Sequence, residues 1–194
     1  MKVPKYTSPI NKFSRAGIIL AVRTLLEAMG EDVDREGLKG TPERVARFYE
    51  EWMKHSTYSK MTAFTSKYDN MVIVKSVPFY SLCEHHMLPF FGLASIGYIP
   101  VNNILGISKL VRILDKYSRR LQVQENLTEQ VAEEIERIAK PKGVMVVLEA
   151  EHMCMSMRGV EAPGTKTITS CIKGVFTKSA PRQEFLSLIK HNGG

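Results

Sequence analysis

Apolar residues recur at helical spacing in two segments near the N-terminus. The first covers residues 16–29 and is followed by Gly30, a residue type that often lies directly after a helix C-terminus. In the second segment Thr41 is a candidate N-cap, and Pro42 fits the first helical position. The apolar positions of this second helix are Val45, Phe48, Tyr49, Trp52 and Met53. The pattern predicts an N-terminal arm and helical module over residues 1–60.

Strand-like and helix-like patterns then alternate through the rest of the chain. Four segments are rich in β-branched and aromatic residues and bounded by Pro or Gly, at residues 71–79, 92–99, 143–157 and 166–176. Amphipathic helices are predicted at residues 109–121, 127–139 and 183–190. This order indicates an α+β fold with the two long helices on one face of an antiparallel sheet, and we assign it to residues 61–194.

Length and charge narrow the class of partner. At 194 residues and 44% hydrophobic content, the chain can bury a core of its own. Lys and Arg number 27 against 20 Asp and Glu, and the net charge of +7 favours nucleic acid, a phosphorylated metabolite or an acidic surface. No apolar run approaches the roughly 20 residues of a membrane span and no signal peptide is visible, so we expect a cytosolic protein. Three cysteines, an odd number, indicate reduced thiols.

The most distinctive chemistry lies between the first two predicted strands, where Cys83, Glu84, His85 and His86 are consecutive. Cys83 and His86 form a C-x-x-H pair, and thiolate sulfur with imidazole nitrogen is a ligand set that Zn²⁺ prefers. A structural zinc site needs four protein ligands, whereas a catalytic site uses three and leaves one position for water. Two ligands alone leave both possibilities open.

A further ligand is predicted on the strand around residues 149–158. Alternate side chains of a strand share a face. One face then carries Ala150, His152, Cys154, Ser156 and Arg158. The opposite face carries Met153, Met155 and Met157, which we interpret as core residues.

Cys154 completes the candidate metal site. With Cys83 and His86 it forms a Cys₂His set with an open fourth position, the arrangement expected where zinc activates water. His85 and His152 stay available beside it as acid–base groups. The third cysteine, Cys171, competes as a ligand, but its apolar neighbours favour the role of a small buried hydrophobe. Two further histidines, His55 and His191, are interpreted as surface residues.

Basic residues at the start of the third helix form a candidate anion site. Ser108 is a candidate N-cap, and Lys109 and Arg112 lie three residues apart on one face of the first turn. A helix N-terminus attracts phosphate, and the positive charges of Lys109 and Arg112 strengthen this attraction. Arg158 is a further candidate for binding the same anion. The alternative is that Lys109 and Arg112 are solvated helix charges.

Gln124 and Glu125 lie between the two long helices. A carboxylate accepts paired hydrogen bonds from the N1–H and exocyclic amine of guanine, although a glutamate at a helix start is also a common capping residue.

Four motifs together closely resemble the GTP cyclohydrolase I family, from about residue 13 to the C-terminus. They are residues 81–86 (SLCEHH), 106–112 (GISKLVR), 121–128 (LQVQENLT) and 151–159 (EHMCMSMRG). The resemblance implies a tunnelling fold (T-fold) and a toroidal homodecamer with active sites at subunit interfaces. It also implies conversion of GTP and water to 7,8-dihydroneopterin triphosphate and formate.

The resemblance also assigns roles by position. Cys83, His86 and Cys154 match the family's zinc ligands, and water bound to that zinc adds to guanine C8. His85 and His152 match its proton-transfer histidines, and Ser108 matches a residue near the ribose. The matches to substrate contacts are Glu125 as the guanine anchor with Gln124 beside it, and Lys109, Arg112 and Arg158 at the triphosphate.

Two alternatives stay open at this point. A related T-fold enzyme could act on another purine-derived substrate. A zinc-stabilised nucleic-acid-binding module would explain the charge of +7, but it needs a closed four-ligand site and salt-dependent binding. The sequence offers three convincing ligands and no basic stripe interleaved with exposed aromatic residues, so we expect neither a nucleic-acid nor a membrane partner.

Overall fold

The computed structural model describes residues 13–54 and 62–190, in two compact units that divide after Lys54. The domain division predicted after residue 60 falls between the two described parts. His55 and His191 lie outside the described residues, so their interpretation as surface histidines stays a prediction.

Two helices form the N-terminal unit: α1 (Arg15–Ala28) and α2 (Thr41–Lys54). Ser14 caps α1, because its hydroxyl oxygen accepts a hydrogen bond from the Gly17 amide at 3.1 Å. Gly30 follows α1 with a φ of 81°, the left-handed conformation that favours glycine at this place. Both predicted helices are present. The second begins one residue earlier than predicted, since Thr41 already belongs to it.

The second unit is built around a five-stranded sheet with the order β5-β2-β3-β6-β7. Its strands are β2 (Val72–Cys83), β3 (Pro89–Ile99), β5 (Leu121–Gln122), β6 (Gly143–His152) and β7 (Thr167–Gly174). Neighbouring strands run antiparallel except β5, which pairs with β2 in parallel. Two further strands, β1 (Ala63–Thr65) and β4 (Asn103–Leu105), pair separately. The α+β fold with an antiparallel sheet is confirmed.

Helices α3 (Ile107–Ser118) and α4 (Gln124–Ala139) pack on one face of this sheet, as predicted. Alternate residues of β3 and β6 point to that face and are fully buried, among them Ile96, Tyr98, Val146 and Leu148. They meet Leu110, Ile113, Leu127, Val131 and Ile135 from the helices. Each buried aliphatic side chain contributes about 1.5–3 kcal/mol, so this layer fixes the positions of α4 and β6.

The opposite face of the sheet is covered at one end. A 3₁₀ turn (Val175–Thr177) and helix α6 (Ser179–Lys190) bring Phe176 and Phe185 against Met145. At the other end Tyr80, Leu93 and Ile168 stay exposed, and Ile168 has 64% of its surface accessible. This face therefore carries an apolar surface that the described part of the chain leaves uncovered.

The predicted strand over residues 143–157 is wrong in its second half. β6 ends at His152, and Met153–Ser156 form a short helix, α5. His152 pairs with Phe90, and β3 begins one residue earlier, so little partner strand remains beyond this point. The backbone bonds to itself instead, with the Met157 amide donating to the Met153 carbonyl at 3.1 Å. The methionines are not core residues either: Met157 is 63% exposed, and α5 contains no buried residue.

Two helix starts also differ from prediction. α3 begins at Ile107 with Gly106 as its N-cap, so Ser108 is not the N-cap. α4 begins at Gln124, three residues before the predicted start, and Glu125 lies in its first turn. The carboxylate is therefore placed at the positive end of the helix dipole, where a negative charge is stabilised.

Candidate metal centre and adjoining pocket

Cys83 is the last residue of β2, and His85 and His86 follow in the turn to β3. Backbone hydrogen bonds close this turn, from the Cys83 amide to the Leu88 carbonyl and from the Met87 amide to the Cys83 carbonyl, both at 2.8 Å. The Glu84 amide donates to the Gln122 carbonyl at 3.0 Å and ties the turn to β5. The buried thiol is therefore held by the sheet, while both imidazoles are exposed.

The helical turn α5 brings Cys154 to the same place. Ligand atoms of Cys83, His86 and Cys154 lie within 4.8 Å of one another, and the Cys83 Sγ to His86 Nδ1 distance is 3.8 Å. Sulfur and nitrogen ligands of one tetrahedral zinc stand about 3.5 Å apart for bonds of about 2.3 and 2.1 Å. The donor set and its spacing fit a single Zn²⁺. Among the described residues the group has three members, which leaves a fourth position.

The thiol of Cys154 favours its protonated form in the absence of a cation. Burial raises its pKa, and the neighbouring Cys83 thiol raises it further. A metal ion reverses this preference because it binds the thiolate, so metal binding at this group releases protons.

His152 lies beside this group at the end of β6. Its ring stacks on Phe90 with centroids 4.6 Å apart and the ring planes parallel to within 1°. Its Nε2 lies 2.7 Å from Oε1 of Gln124. Burial lowers the pKa of His152, opposed by the charge of Glu125, so the ring is neutral at neutral pH.

Gln124 is buried at the start of α4, and its amide is surrounded by acceptors. Nε2 donates to the carbonyl of Leu148 at 3.2 Å, the carbonyl of Thr167 at 3.0 Å and the hydroxyl of Thr169 at 3.1 Å. The neighbouring Glu125 is exposed and lines a pocket of about 380 Å³ between α4 and β7. The two adjacent side chains therefore have different surroundings. Gln124 is enclosed by the protein, and Glu125 faces the pocket.

The predicted basic residues lie on two elements. Ser108, Lys109 and Arg112 occupy the first turns of α3, with Ser108 and Arg112 exposed and Lys109 half-buried. Arg158 follows α5 rather than lying on a strand, and its Nη2 is 2.8 Å from Nε2 of His86. This cation therefore touches the candidate metal centre itself. Cys171 is half-buried against the main core, and burial raises its pKa.

Four residues of the site were missed by sequence reasoning: Phe90, Thr128, Glu151 and Thr169. Glu151 accepts hydrogen bonds from the Ser156 hydroxyl at 2.9 Å and the Gly164 amide at 3.1 Å, which holds the segment that carries Arg158. The only local signal was that Thr128 follows Gln124 by four residues, one helical turn. Phe90 and Thr169 reach the site through strand pairing, and Glu151 acts through the segment that follows its own strand.

An α+β domain that gathers two thiols and an imidazole beside a half-buried neutral histidine defines a candidate metal-dependent enzyme. The family model described as GTP cyclohydrolase I matches residues 18–190. The chain is 55% identical over 172 residues to the GTP cyclohydrolase 1 of Aquifex aeolicus strain VF5, covering 88% of this chain and 94% of the relative. The chain belongs to the GTP cyclohydrolase I family of hydrolases.

Further relatives agree with this assignment. Identity is 51% to the GTP cyclohydrolase 1 of Carboxydothermus hydrogenoformans, over 90% of this chain and 94% of that protein. The chain is also 51% identical to the GTP cyclohydrolase 1 of Listeria monocytogenes strain EGD-e, over 89% of this chain and 94% of that protein. The predictions of an enzyme and of this family are confirmed. No helix in residues 13–54 or 62–190 has the length and apolar character needed to cross a membrane.

Proposed function

We propose that the protein converts GTP and water to 7,8-dihydroneopterin triphosphate and formate. The observation that carries the proposal is the convergence of Cys83, His86 and Cys154 beside His152, in a chain about half identical to proteins named GTP cyclohydrolase 1. Opening the imidazole ring of guanine requires water to be activated and protons to be moved at the purine. The site offers groups of both kinds.

Cys83, His86 and Cys154 hold the metal, which we propose is Zn²⁺. When bound, zinc supplies Lewis-acid activation of water at neutral pH. Arg158 can donate to His86 Nε2 only while that nitrogen carries no hydrogen. His86 that binds the metal through Nδ1 carries its hydrogen on Nε2, so metal binding releases Arg158 from this contact and leaves it for the triphosphate. Three protein ligands suit a catalytic site better than a structural one, which argues against the zinc-stabilised binding module.

His152 and His85 move the protons. His152 is neutral because it is half-buried, and a neutral imidazole accepts a proton as a general base. His85 is exposed in the turn after β2, with its Nδ1 3.8 Å from Cys83 Sγ. The two histidines therefore stand on separate elements around the metal ligands, which allows proton transfer at two positions of the purine.

Glu125 anchors the guanine. Its carboxylate lines the pocket between α4 and β7, and it accepts hydrogen bonds from the N1–H and the exocyclic amine. Gln124 supports this end of the site from within the protein. Ser108 lies near the ribose, and Lys109, Arg112 and Arg158 bind the triphosphate, whose negative charge is also favoured by the positive end of the α3 dipole.

The fold is proposed to be the T-fold and the assembly a homodecamer with active sites between subunits. Exposed apolar side chains on the uncovered face of the sheet support assembly, since a monomer in water rarely leaves several large side chains such as Tyr80, Leu93 and Ile168 open on one face. β7 lies at one edge of the sheet, where no other strand of the described residues pairs with it, so its outer backbone groups are available to a second copy.

The proposal is tested by incubating zinc-loaded protein with GTP, ATP or inosine triphosphate and measuring the fluorescent pterin after oxidation. GTP gives pterin, and ATP gives none because it lacks the N1–H and the 2-amino group. Inosine triphosphate keeps N1–H but lacks the amine, so it binds weakly. Turnover of ATP at the rate of GTP would instead favour an enzyme acting on another purine.

Glu125→Gln weakens GTP binding, because the charged carboxylate becomes a neutral amide. One of its two acceptor oxygens is then replaced by an NH₂ group, which donates. We expect KM to rise roughly 10- to 100-fold, the effect of losing a charge-assisted hydrogen bond. Glu129→Gln is the matched control: Glu129 lies one turn later on α4 and lines the same pocket. Equal effects of the two substitutions would contradict the assignment of Glu125.

A further inference from the structure

A closed ring of hydrogen bonds lies behind the metal centre and joins α4 to β7. The Gln124 amide nitrogen bonds to the Thr169 hydroxyl at 3.1 Å, and that hydroxyl lies 2.6 Å from the Thr128 hydroxyl. Thr128 in turn bonds to the Gln124 backbone carbonyl at 2.7 Å. Gln124 and Thr128 are only 1% and 2% exposed, so their bond to each other is shielded from water, while the half-buried Thr169 closes the ring at the pocket.

The chemistry of the groups fixes the direction of each bond. A backbone carbonyl only accepts, so the single Thr128 proton points to the Gln124 carbonyl. The Thr169 hydroxyl must then donate to Thr128, and its lone pairs accept from the Gln124 amide. Each hydroxyl of the ring donates once, and the ring runs in one direction only, from the Gln124 amide through Thr169 and Thr128 to the Gln124 backbone carbonyl.

The same bonds fix the orientation of the Gln124 amide. Two backbone carbonyls, of Leu148 and Thr167, lie within 3.2 Å of its nitrogen. Turning the amide over would place its oxygen against these carbonyls. The oxygen Oε1 therefore faces His152 Nε2 at 2.7 Å, and because an amide oxygen cannot donate, that imidazole nitrogen carries the hydrogen.

We infer that Gln124, held by Thr128 and Thr169, is a positioning residue that keeps His152 in its Nε2–H tautomer. Nδ1 then carries no hydrogen and is the ring nitrogen that can accept a hydrogen bond from the substrate. Stacking on Phe90 fixes the plane of the same ring, so tautomer and orientation are set together. Thr128 and Thr169 act on the imidazole through Gln124, although they also line the pocket.

The contact of Nδ1 with the substrate rests on the proposed function, but the tautomer does not. It can be measured without GTP, by NMR of the sedimented, zinc-loaded full chain labelled with ¹⁵N-histidine at about pH 8, above the usual pKa of histidine. The chain has five histidines, and the His152→Asn spectrum identifies the signals of His152 by subtraction.

We expect wild-type His152 to show a protonated Nε2 and an unprotonated Nδ1. Gln124→Met removes the acceptor, and the spectrum becomes a mixture of both tautomers while zinc content is unchanged. A protonated Nδ1 in the wild type, or a Gln124→Met spectrum identical to the wild type, overturns the inference.

Kinetics test the outer part of the ring. Thr169→Val lowers kcat about fivefold, the effect of one neutral hydrogen bond, with KM for GTP within about twofold of the wild type. Thr169→Ser keeps the hydroxyl and restores kcat. Thr177→Val is the matched control, because its hydroxyl bonds to the Gly174 carbonyl away from the ring. If Thr169→Val behaves like Thr177→Val, the ring does not position His152.

The two proposals fail in different ways. A wild-type protein that makes no pterin from GTP but shows the Nε2–H tautomer contradicts the proposed function and leaves the ring intact. A protein that makes pterin with His152 in the other tautomer contradicts the inference alone.

Discussion

At the scale of single residues, three cysteines with different surroundings make the metal assignment testable. Cys83 is buried at the end of a strand, Cys154 lies on a helical turn, and Cys171 is half-buried above α4. Only Cys83 and Cys154 belong to the group with His86 that fits one ion among the described residues. Replacing a thiol that binds zinc should remove the metal, whereas replacing a thiol that packs against the core should leave the metal bound.

Cys83→Ser and Cys154→Ser lose zinc, because a serine hydroxyl is a poor replacement for a thiolate. The loss of affinity exceeds the roughly 10- to 100-fold that removal of an outer-shell partner costs. Zinc content by mass spectrometry and pterin formation are measured on the same samples. Cys171→Ser keeps zinc and activity; equal zinc loss in all three variants contradicts the assignment.

Some contacts of the site can be predicted from the sequence and others cannot. Cys83 and His86 are three apart, so their meeting is a local matter that the motif alone could predict. Cys154 was assigned correctly to the group but on the wrong geometry, since it reaches Cys83 from a helical turn and not from a strand. The contact of Gln124 with Thr169 spans 45 residues and depends on how β7 pairs with β6, which no local pattern encodes.

At the scale of elements, a buried carboxylate fastens the two long helices to each other. Glu134 of α4 is 6% exposed and accepts from Lys116 of α3 at 2.8 Å and from Arg137 at 2.8 and 3.1 Å. Burial by itself raises the pKa of Glu134, but the hydrogen bonds from Arg137 and Lys116 outweigh it and hold the pKa at about 2. α4 carries Gln124 and Glu125 at its other end, so this pair of helices supports the site.

Glu134→Gln lowers the free energy of unfolding at neutral pH by about 2 kcal/mol, allowing for the exposure of Arg137 to solvent. Since the folded-state pKa lies below the ordinary 4.5, the carboxylate stabilises the fold fully above pH 4.5. This contribution is lost as pH falls from 4.5 towards 2. The difference between wild type and variant in urea unfolding, at one protomer concentration, should therefore vanish in acid.

The neighbouring Glu133 provides the control for this clamp. It is 58% exposed and pairs with Lys173 at 3.7 Å. Glu133→Gln changes stability by less than about 0.5 kcal/mol at any pH, as expected for a surface pair. A Glu134→Gln penalty that persists unchanged at pH 3 contradicts the explanation by charge.

Sequence patterns predict the type and order of the elements better than the residues at which they begin and end. The types and order of the main helices and strands follow from periodicity, and most were predicted within a few residues. The end of β6 was not, because it depends on where the partner strand β3 begins. The start of α4 at Gln124 was also missed: Val123 precedes it, a residue that gives no side-chain cap.

At the scale of the whole molecule, the uncovered end of the sheet points to assembly. Strand register places Leu93 beside Glu149 and Glu149 beside Ile168 on this face. Leu93 and Ile168 are 49% and 64% exposed. The site itself lies at the same end of the sheet as this surface, near His152 and Cys83, so assembly and catalysis are expected to depend on each other.

Ile168→Asp places a charge in this surface and is expected to lower the number of subunits in the oligomer. A decamer has a mass of 10 × 21.9 = 219 kDa, and light scattering after size-exclusion chromatography distinguishes it from smaller species. Ile168→Val keeps the apolar character and is expected to keep the full mass. If Ile168→Asp has the same mass as the wild type, this surface is not the interface.

The central claim is that a metal ion held by Cys83, His86 and Cys154 serves the ring opening of GTP. It is tested most directly by measuring formate and oxidised pterin in one reaction, on assembled protein whose zinc is quantified in the same sample. We predict equal molar amounts of formate and pterin, loss of both after chelation, and recovery of both when zinc is returned. Zinc-loaded, assembled protein that releases neither product from GTP would contradict the account.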